Sequence, residues 1–358
     1  MKRLKTALAA AACVALLADA GATTVRVHYD AGKGSIAILG DKAPMSWSKG
    51  VTATRLEGTN IWTYSWLDEL GDIAIKPALG DKVSVGGVYK LAAGSTVDIY
   101  PFFGAPFGKL KIVPDFESPQ LQNKRSLRIY LPASYEENMA KRYPVLYMHD
   151  GQNLFDARTA AYGVEWRVDE TVNQLVAMGQ MDEVIVVGID NTPERISEYT
   201  PCCDPKYGGG KLDRYDAFII ETVKPYIDKT LRTLPGKEHT AIMGSSLGGI
   251  ASVYIAQRHP GVFSKAGGVS SSFWWNKRQL VAKPPHVPVK FYLDAGTRND
   301  ALEDTLLMRD AMLAQGYREN EDLMFFKAEG ASHNEASWAT RLDKPLTWFF
   351  PWGGTRQQ

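Results

Sequence analysis

The sequence predicts an α/β unit, with a mostly parallel sheet covered by helices on both faces, preceded by a small all-β sandwich. Three observations point there. From about residue 108 onward, short continuous apolar runs alternate with amphipathic stretches, the signature of strands buried on both faces by crossover helices. Before residue 104, shorter runs alternate apolar and polar residues between Gly, Asp and Asn, which suits a sandwich. The length of 358 residues also suits two cores better than one.

The β-rich part contains alternating runs at 24–29, 35–39, 62–66, 73–75, 83–89 and 97–100. Trp47, Trp62 and Trp66 lie among them. Tryptophans in a small sandwich are more often core than ligand platforms, and at least two of these are expected inside. Residues 104–107 carry Gly and Pro and read as a linker. The expected division is therefore 1–22, 23–106 and 107–358.

Residues 1–22 stand apart. Lys2, Arg3 and Lys5 precede an apolar run at 6–17 and small residues at 18–22, the order of a secretory signal peptide cut near Ala20 or Ala22. The run is too short for a membrane anchor, so the expected location is secreted or periplasmic. Cys13 is followed by more apolar residues, which argues against a lipoprotein cysteine. Past this segment only Cys202 and Cys203 remain. They are either a vicinal disulfide or two neighbouring loop thiols. No Cys/His spacing predicts zinc, and Asp150, Asp156 and Asp190 lack calcium-loop spacing. A net charge of +1 with no basic stripe argues against nucleic acid.

In the α/β part, strands are expected at 110–113, 127–131, 144–148, 184–189, 240–243, 266–269, 289–293 and 323–327. Helices are expected at 166–178, 215–230, 247–258 and 305–315. The strand at 240–243 runs into Gly244-Ser245-Ser246-Leu247-Gly248 and then a helix. A G-x-S-x-G between strand and helix forces its serine into a tight turn, with the helix N-terminus behind it. Ser246 is the expected nucleophile. Ser245 sits one residue early. The Leu247 NH is the first expected oxyanion donor, and the Gln152 or Asn153 NH, beyond Gly151, is the second.

Of six histidines, only His333 follows the last strand, where the order serine, acid, histidine places a base. The acid follows the strand at 289–293. Asp300 is expected, and Asp294 is the alternative; either can instead serve a turn or cap a helix. Trp274, Trp275, Arg195, Glu198 and Tyr199 are candidates for lining a pocket, with core packing or surface pairing as the competing roles. The implied chemistry is acyl transfer through serine, needing no cofactor.

The runs at 148–153, 244–249 and 332–335, with Trp338, resemble the family that contains esterase D, the enterochelin esterases, bacterial feruloyl and acetyl-xylan esterases and the mycolyltransferases. The resemblance spans about 108–350. It implies an α/β-hydrolase fold and a triad of Ser246, an acid and His333, acting on small-molecule or glycan-linked esters. The acid loop, Gly296-Thr297-Arg298-Asn299-Asp300, is one residue longer than the family's Gly-Thr-Asn-Asp form. The β-rich part is similar to immunoglobulin-like or carbohydrate-binding-module-like domains. An acyltransferase on the same triad and a non-catalytic glycan-binding protein are the alternatives.

Overall fold

A computed structural model describes residues 22–67 and 71–353. The expected signal segment and Cys13 lie outside the described residues, apart from Ala22. The amino-terminal part forms two facing sheets. One orders the strands Thr54–Arg55, Ile61–Leu67, Ala22–His28 and Thr96–Ile99; the other orders Val51–Thr52, Ile36–Gly40, Ile73–Leu79 and Lys82–Val83, with Tyr89–Leu91 also on Ile73–Leu79. Alternation places Val25, Val27, Ile36, Ile38, Ile73 and Ile75 between the sheets, as the period-2 pattern requires. Trp62 and Trp66 are in this core and Trp47 is about half exposed. The run at 83–89 is not one strand. It breaks between Lys82–Val83 and Tyr89–Leu91, because Gly86 and Gly87 turn there beneath Trp352.

The second part is built on an eight-stranded sheet. Its order is Lys109–Ser118, Asn123–Leu131, Ile185–Ile189, Val145–His149, Thr240–Ser245, Lys265–Val269, Lys290–Gly296 and Leu323–Ala328. The first two strands pair antiparallel and the other six run parallel. Apolar clusters lie on both faces, one around Tyr215, Ile250 and Phe291, the other around Val172, Met243 and Leu346. That explains why the parallel strands read as unbroken apolar runs. The helix expected at 215–230 is three segments, Leu212–Phe218, a π turn at Ile219–Val223, and Lys224–Thr230, with Pro225 inside the last. No helix among the described residues is long and apolar enough to cross a membrane.

The two parts meet through directed polar contacts. Glu137 accepts hydrogen bonds from Tyr29 Oη (2.9 Å), the Phe103 NH (2.7 Å) and the Gly104 NH (2.9 Å). Asn138 Nδ2 donates to the His28 and Pro101 carbonyls. Trp352 lies so close to Gly86 and Gly87 that a Cβ there would meet its ring at 2.6–2.7 Å, and its indole NH donates to the Val88 carbonyl.

Glu137→Ala, which strips three donors of a charged acceptor, is expected to cost about 2–3 kcal/mol in chemical denaturation. A second prediction concerns His149, buried beneath the sheet edge with Nδ1 2.9 Å from Tyr215 Oη. Burial pushes its pKa down to about 4, whereas the unfolded side chain takes up its proton near pH 6.5. The stability tied to neutral His149 is therefore complete above about pH 6.5 and falls as pH drops toward about 4, by on the order of 3 kcal/mol. Urea midpoints at pH 7.5 and 4.5 are expected to differ more in the parent than in His149→Gln.

Candidate active site

The strand Thr240–Ser245 ends one residue before Ser246, and the helix Leu247–Arg258 starts one residue after it. Ser246 has φ 57° and ψ −122°, a region that side chains rarely enter and that costs on the order of 1–3 kcal/mol. The surroundings leave it no alternative. A Cβ on Gly244 would stand 2.7 Å from His149 Cδ2 and 2.9 Å from the Gly248 carbonyl carbon, and one on Gly248 would stand 3.1 Å from His149 Cβ. Strand and helix thus approach at backbone contact distance. The Ser246 NH donates to the Val269 carbonyl, and its own carbonyl accepts from Ser272 and Gly249. These bonds hold the strained residue with its hydroxyl at a cavity wall.

His333 and Asp300 arrive from the loops after the last two strands. His333 Nδ1 is 2.8 Å from Asp300 Oδ1. Asp300 also accepts from Ser270 Oγ (2.6 Å), the Gly296 NH (2.6 Å) and the Ala301 NH (2.7 Å). Burial would raise its carboxyl, but the bonds from His333, Ser270, Gly296 and Ala301 prevail and hold it at about 2. Asp294 faces elsewhere. It is buried against Arg341 (2.9 and 3.0 Å), Tyr292 Oη and the Ser270 NH. The longer acid loop therefore still delivers Asp300, and not Asp294, to the imidazole.

Sequence reasoning missed Ser270 and Arg341. Ser270 Oγ receives Trp338 Nε1 and Arg341 Nη2 while donating to Asp300. It thereby ties both carboxylates to the helix Glu335–Ala339, and Trp338 stands edge-on to the His333 ring. A serine directly after a strand, and an arginine three residues beyond Trp338, were the available signals.

Ser246 and His333 line one cavity of about 600 Å³. No hydrogen bond joins them; Ser246 Oγ instead lies 3.3 Å from Ser272 Oγ. Such bonds are commonly long in ligand-free sites. Other His–Asp pairs occur, His259–Asp216 and His28–Asp98. Neither lines the cavity that holds Ser246.

The loop after Val145–His149 is shaped by Asp150 at φ 56°. Its carboxylate accepts from Arg195 Nε (2.7 Å), Arg195 Nη2 (2.8 Å) and Asn191 Nδ2 (2.6 Å). Burial opposes ionisation here too, yet Arg195 and Asn191 hold it below the usual carboxylate range. Gly151 is required, since a Cβ would meet the Gly188 backbone at 2.6 Å. Of the two expected donors, Asn153 is already used. Its NH donates to the Asp150 carbonyl, and its side-chain oxygen accepts from the Ala161 NH. Gln152 remains, its side chain accepting from the Asn191 NH.

The pocket candidates divide. Arg195 lines the main cavity and a neighbouring cleft of about 300 Å³ that also contains Ser246, Leu247, Tyr207 and Trp274. Trp274 is 40% exposed. Trp275, although it edges the cleft, is 2% exposed and donates to the Pro201 carbonyl, so it closes the core. Glu198 is not in the pocket; it is buried in a bidentate pair with Arg125. Tyr199 is buried as well, with its hydroxyl accepting from the Asp150 NH. Cys202 and Cys203 are joined as a vicinal disulfide.

Comparison with known proteins identifies a family and shared folds. Residues 118–349 match the model of the family described as Putative esterase. YbbA of Bacillus subtilis is 24% identical over 244 residues, 63% of this chain and 92% of that protein. The endo-1,4-beta-xylanase/feruloyl esterase of Xylanibacter ruminicola is 25% identical over 238 residues, 64% of this chain but only 30% of its own length. Among solved structures, the enterobactin esterase FES from Shigella flexneri superposes with a TM-score of 0.53 at 17% identity, over 92% of both chains. The match thus extends across the amino-terminal sheets, and at that identity it speaks for the fold alone. The chain belongs to the Putative esterase family and is a carboxylic ester hydrolase with the α/β-hydrolase fold.

Proposed function

We propose that this esterase works through an acyl-enzyme on Ser246, with His333 as general base and Asp300 as the acid that orients it. The observation that carries the proposal is Ser246 held at positive φ on the wall of the cavity that also contains His333, itself hydrogen-bonded to Asp300. His333 takes the Ser246 proton as Oγ bonds to the ester carbonyl carbon. The NH groups of Leu247 and Gln152 receive the oxyanion. The carbon–oxygen bond to the alcohol then breaks, and that oxygen takes the proton from His333. Water, deprotonated by His333, attacks the acyl carbon; the bond from that carbon to Ser246 Oγ breaks, Oγ takes the proton back from His333, and the acid leaves. Asp300, at about 2, stays ionised throughout and stabilises the imidazolium.

The substrates we propose are esters attached to carbohydrate, acetyl or feruloyl, or esters of siderophore type. Support comes from the Xylanibacter endo-1,4-beta-xylanase/feruloyl esterase and from the siderophore enterobactin esterase of Emericella nidulans, 27% identical over 155 residues. We also propose export, supported by the basic–apolar–small start and by the Cys202–Cys203 disulfide, which belongs to an oxidising compartment. The division into a sandwich at 23–106 and a catalytic unit at 107–358 is part of the same proposal.

Ser246→Ala is expected to lower kcat on nitrophenyl acetate at least about 10³-fold; retention of full activity would refute the serine mechanism. The two aspartates are expected to separate in a paired measurement. Asp300→Asn should reduce kcat about 10⁴-fold. Asp294→Asn, which leaves Arg341 buried without its partner, should instead lose about 3–5 kcal/mol of stability while the folded fraction keeps kcat within about tenfold.

A further inference from the structure

Ser246 stands where two spaces meet. The larger contains His333, Asn334, Glu335, Tyr162 and Arg195; the smaller contains Leu247, Tyr207 and Trp274 but not His333. The reaction itself distinguishes them. When the tetrahedral intermediate collapses, the departing alkoxide takes its proton from the imidazolium, so the alcohol must leave on the histidine's side. The space beside Leu247 is left for the acyl group.

Glu335 is the unusual residue of the larger space. It is 6% exposed and begins the helix Glu335–Ala339, and its carboxylate meets only its own backbone NH. Among the described residues no ion pair or side-chain hydrogen bond reaches it, whereas Asp150 is neutralised by Arg195 and Asp300 is saturated with donors. A carboxylate that lines a cavity and is held by only a backbone NH keeps acceptor capacity for a ligand, and loses solvation when that ligand displaces the cavity water. Burial accordingly pushes its pKa up, with Asp150 adding to the rise and His333 and Arg195 opposing it. A ligand that donates hydrogen bonds would supply what the protein leaves out.

We propose that the ester's alcohol half occupies the His333–Glu335 cavity and its acyl half the Trp274 cleft, and that Glu335 selects alcohols carrying further hydroxyl groups and rejects anionic ones. Tyr162, 81% exposed at the cavity rim, offers the flat apolar face on which a polyol ring stacks. Trp274, with Tyr207 edge-on at 5.7 Å, offers the acyl group an aromatic wall. The assignment rests on the serine mechanism proposed above.

Three acetyl esters with alcohols of similar size test it: glycerol monoacetate, propyl acetate and 3-acetoxypropanoate. The parent is expected to show kcat/KM in that descending order. Glu335→Gln should compress the glycerol-to-propyl ratio about tenfold, mainly through KM, and raise 3-acetoxypropanoate about tenfold relative to propyl acetate. Glu335→Asp, which keeps the charge, should restore the parent order. Trp274→Ala should change the preference among acyl groups, acetyl against benzoyl, at constant alcohol. A merely structural Glu335 would depress all three esters in proportion, and that result overturns the proposal. So does a Trp274→Ala variant that alters alcohol order instead of acyl preference. Failure of the underlying mechanism reads differently: Ser246→Ala would then still turn over the three esters.

Discussion

The contact between Gly244 and Gly248, with His149 pressed against both, sets the geometry from which the rest of the site follows. Because strand and helix touch at that point, Ser246 has no room to relax and must project outward at positive φ. The Ser246 peptide groups are tied to Val269 and Ser272 on the neighbouring strand and its loop, bonds that together are of the same order as the strain. It persists because the surroundings over-determine it. The same packing explains why His149 is sealed beneath the elbow in neutral form: its place is to fill space that any Cβ at Gly244 would claim.

A second organising element is Ser270. Two aspartates with buried carboxylates share Ser270 as a partner, one through its hydroxyl and one through its NH. The Ser270 hydroxyl bonds Asp300, Trp338 and Arg341 together. Arg341 then commits Asp294 to structure, and Asp300 is left to the imidazole. A lowered carboxyl on Asp300 is the electrostatic trace of that division.

Much of this was legible in the chain. The parallel strands showed as continuous apolar runs because both faces of the sheet are covered. Ser246 and His333 were found because the elbow has its own spacing and because few histidines needed eliminating. What stayed hidden was mostly pairwise. Glu198 looks like a pocket residue until Arg125, far away in sequence, claims it. Asn153 looks like an oxyanion donor until its NH is seen closing a turn on Asp150. Asp300 was expected from its place beyond Gly296, but Asp294 stayed open as the alternative, because no periodicity encodes its partner Arg341. The strand expected at 83–89 failed at Gly86 and Gly87, where the chain turns and leaves room for Trp352, a residue far along the sequence.

That last contact has a temporal side. Trp352 is separated from the Val88 carbonyl it binds by 264 residues. Synthesis proceeds at about 5–20 residues per second, so the amino-terminal sheets are complete some tens of seconds before the indole that covers Gly86 and Gly87 exists. Until then Gly86 and Gly87 have no indole to lie against them. The seam at Gly86 and Gly87 is thus covered only by a residue made much later, and its closure waits on residue 352.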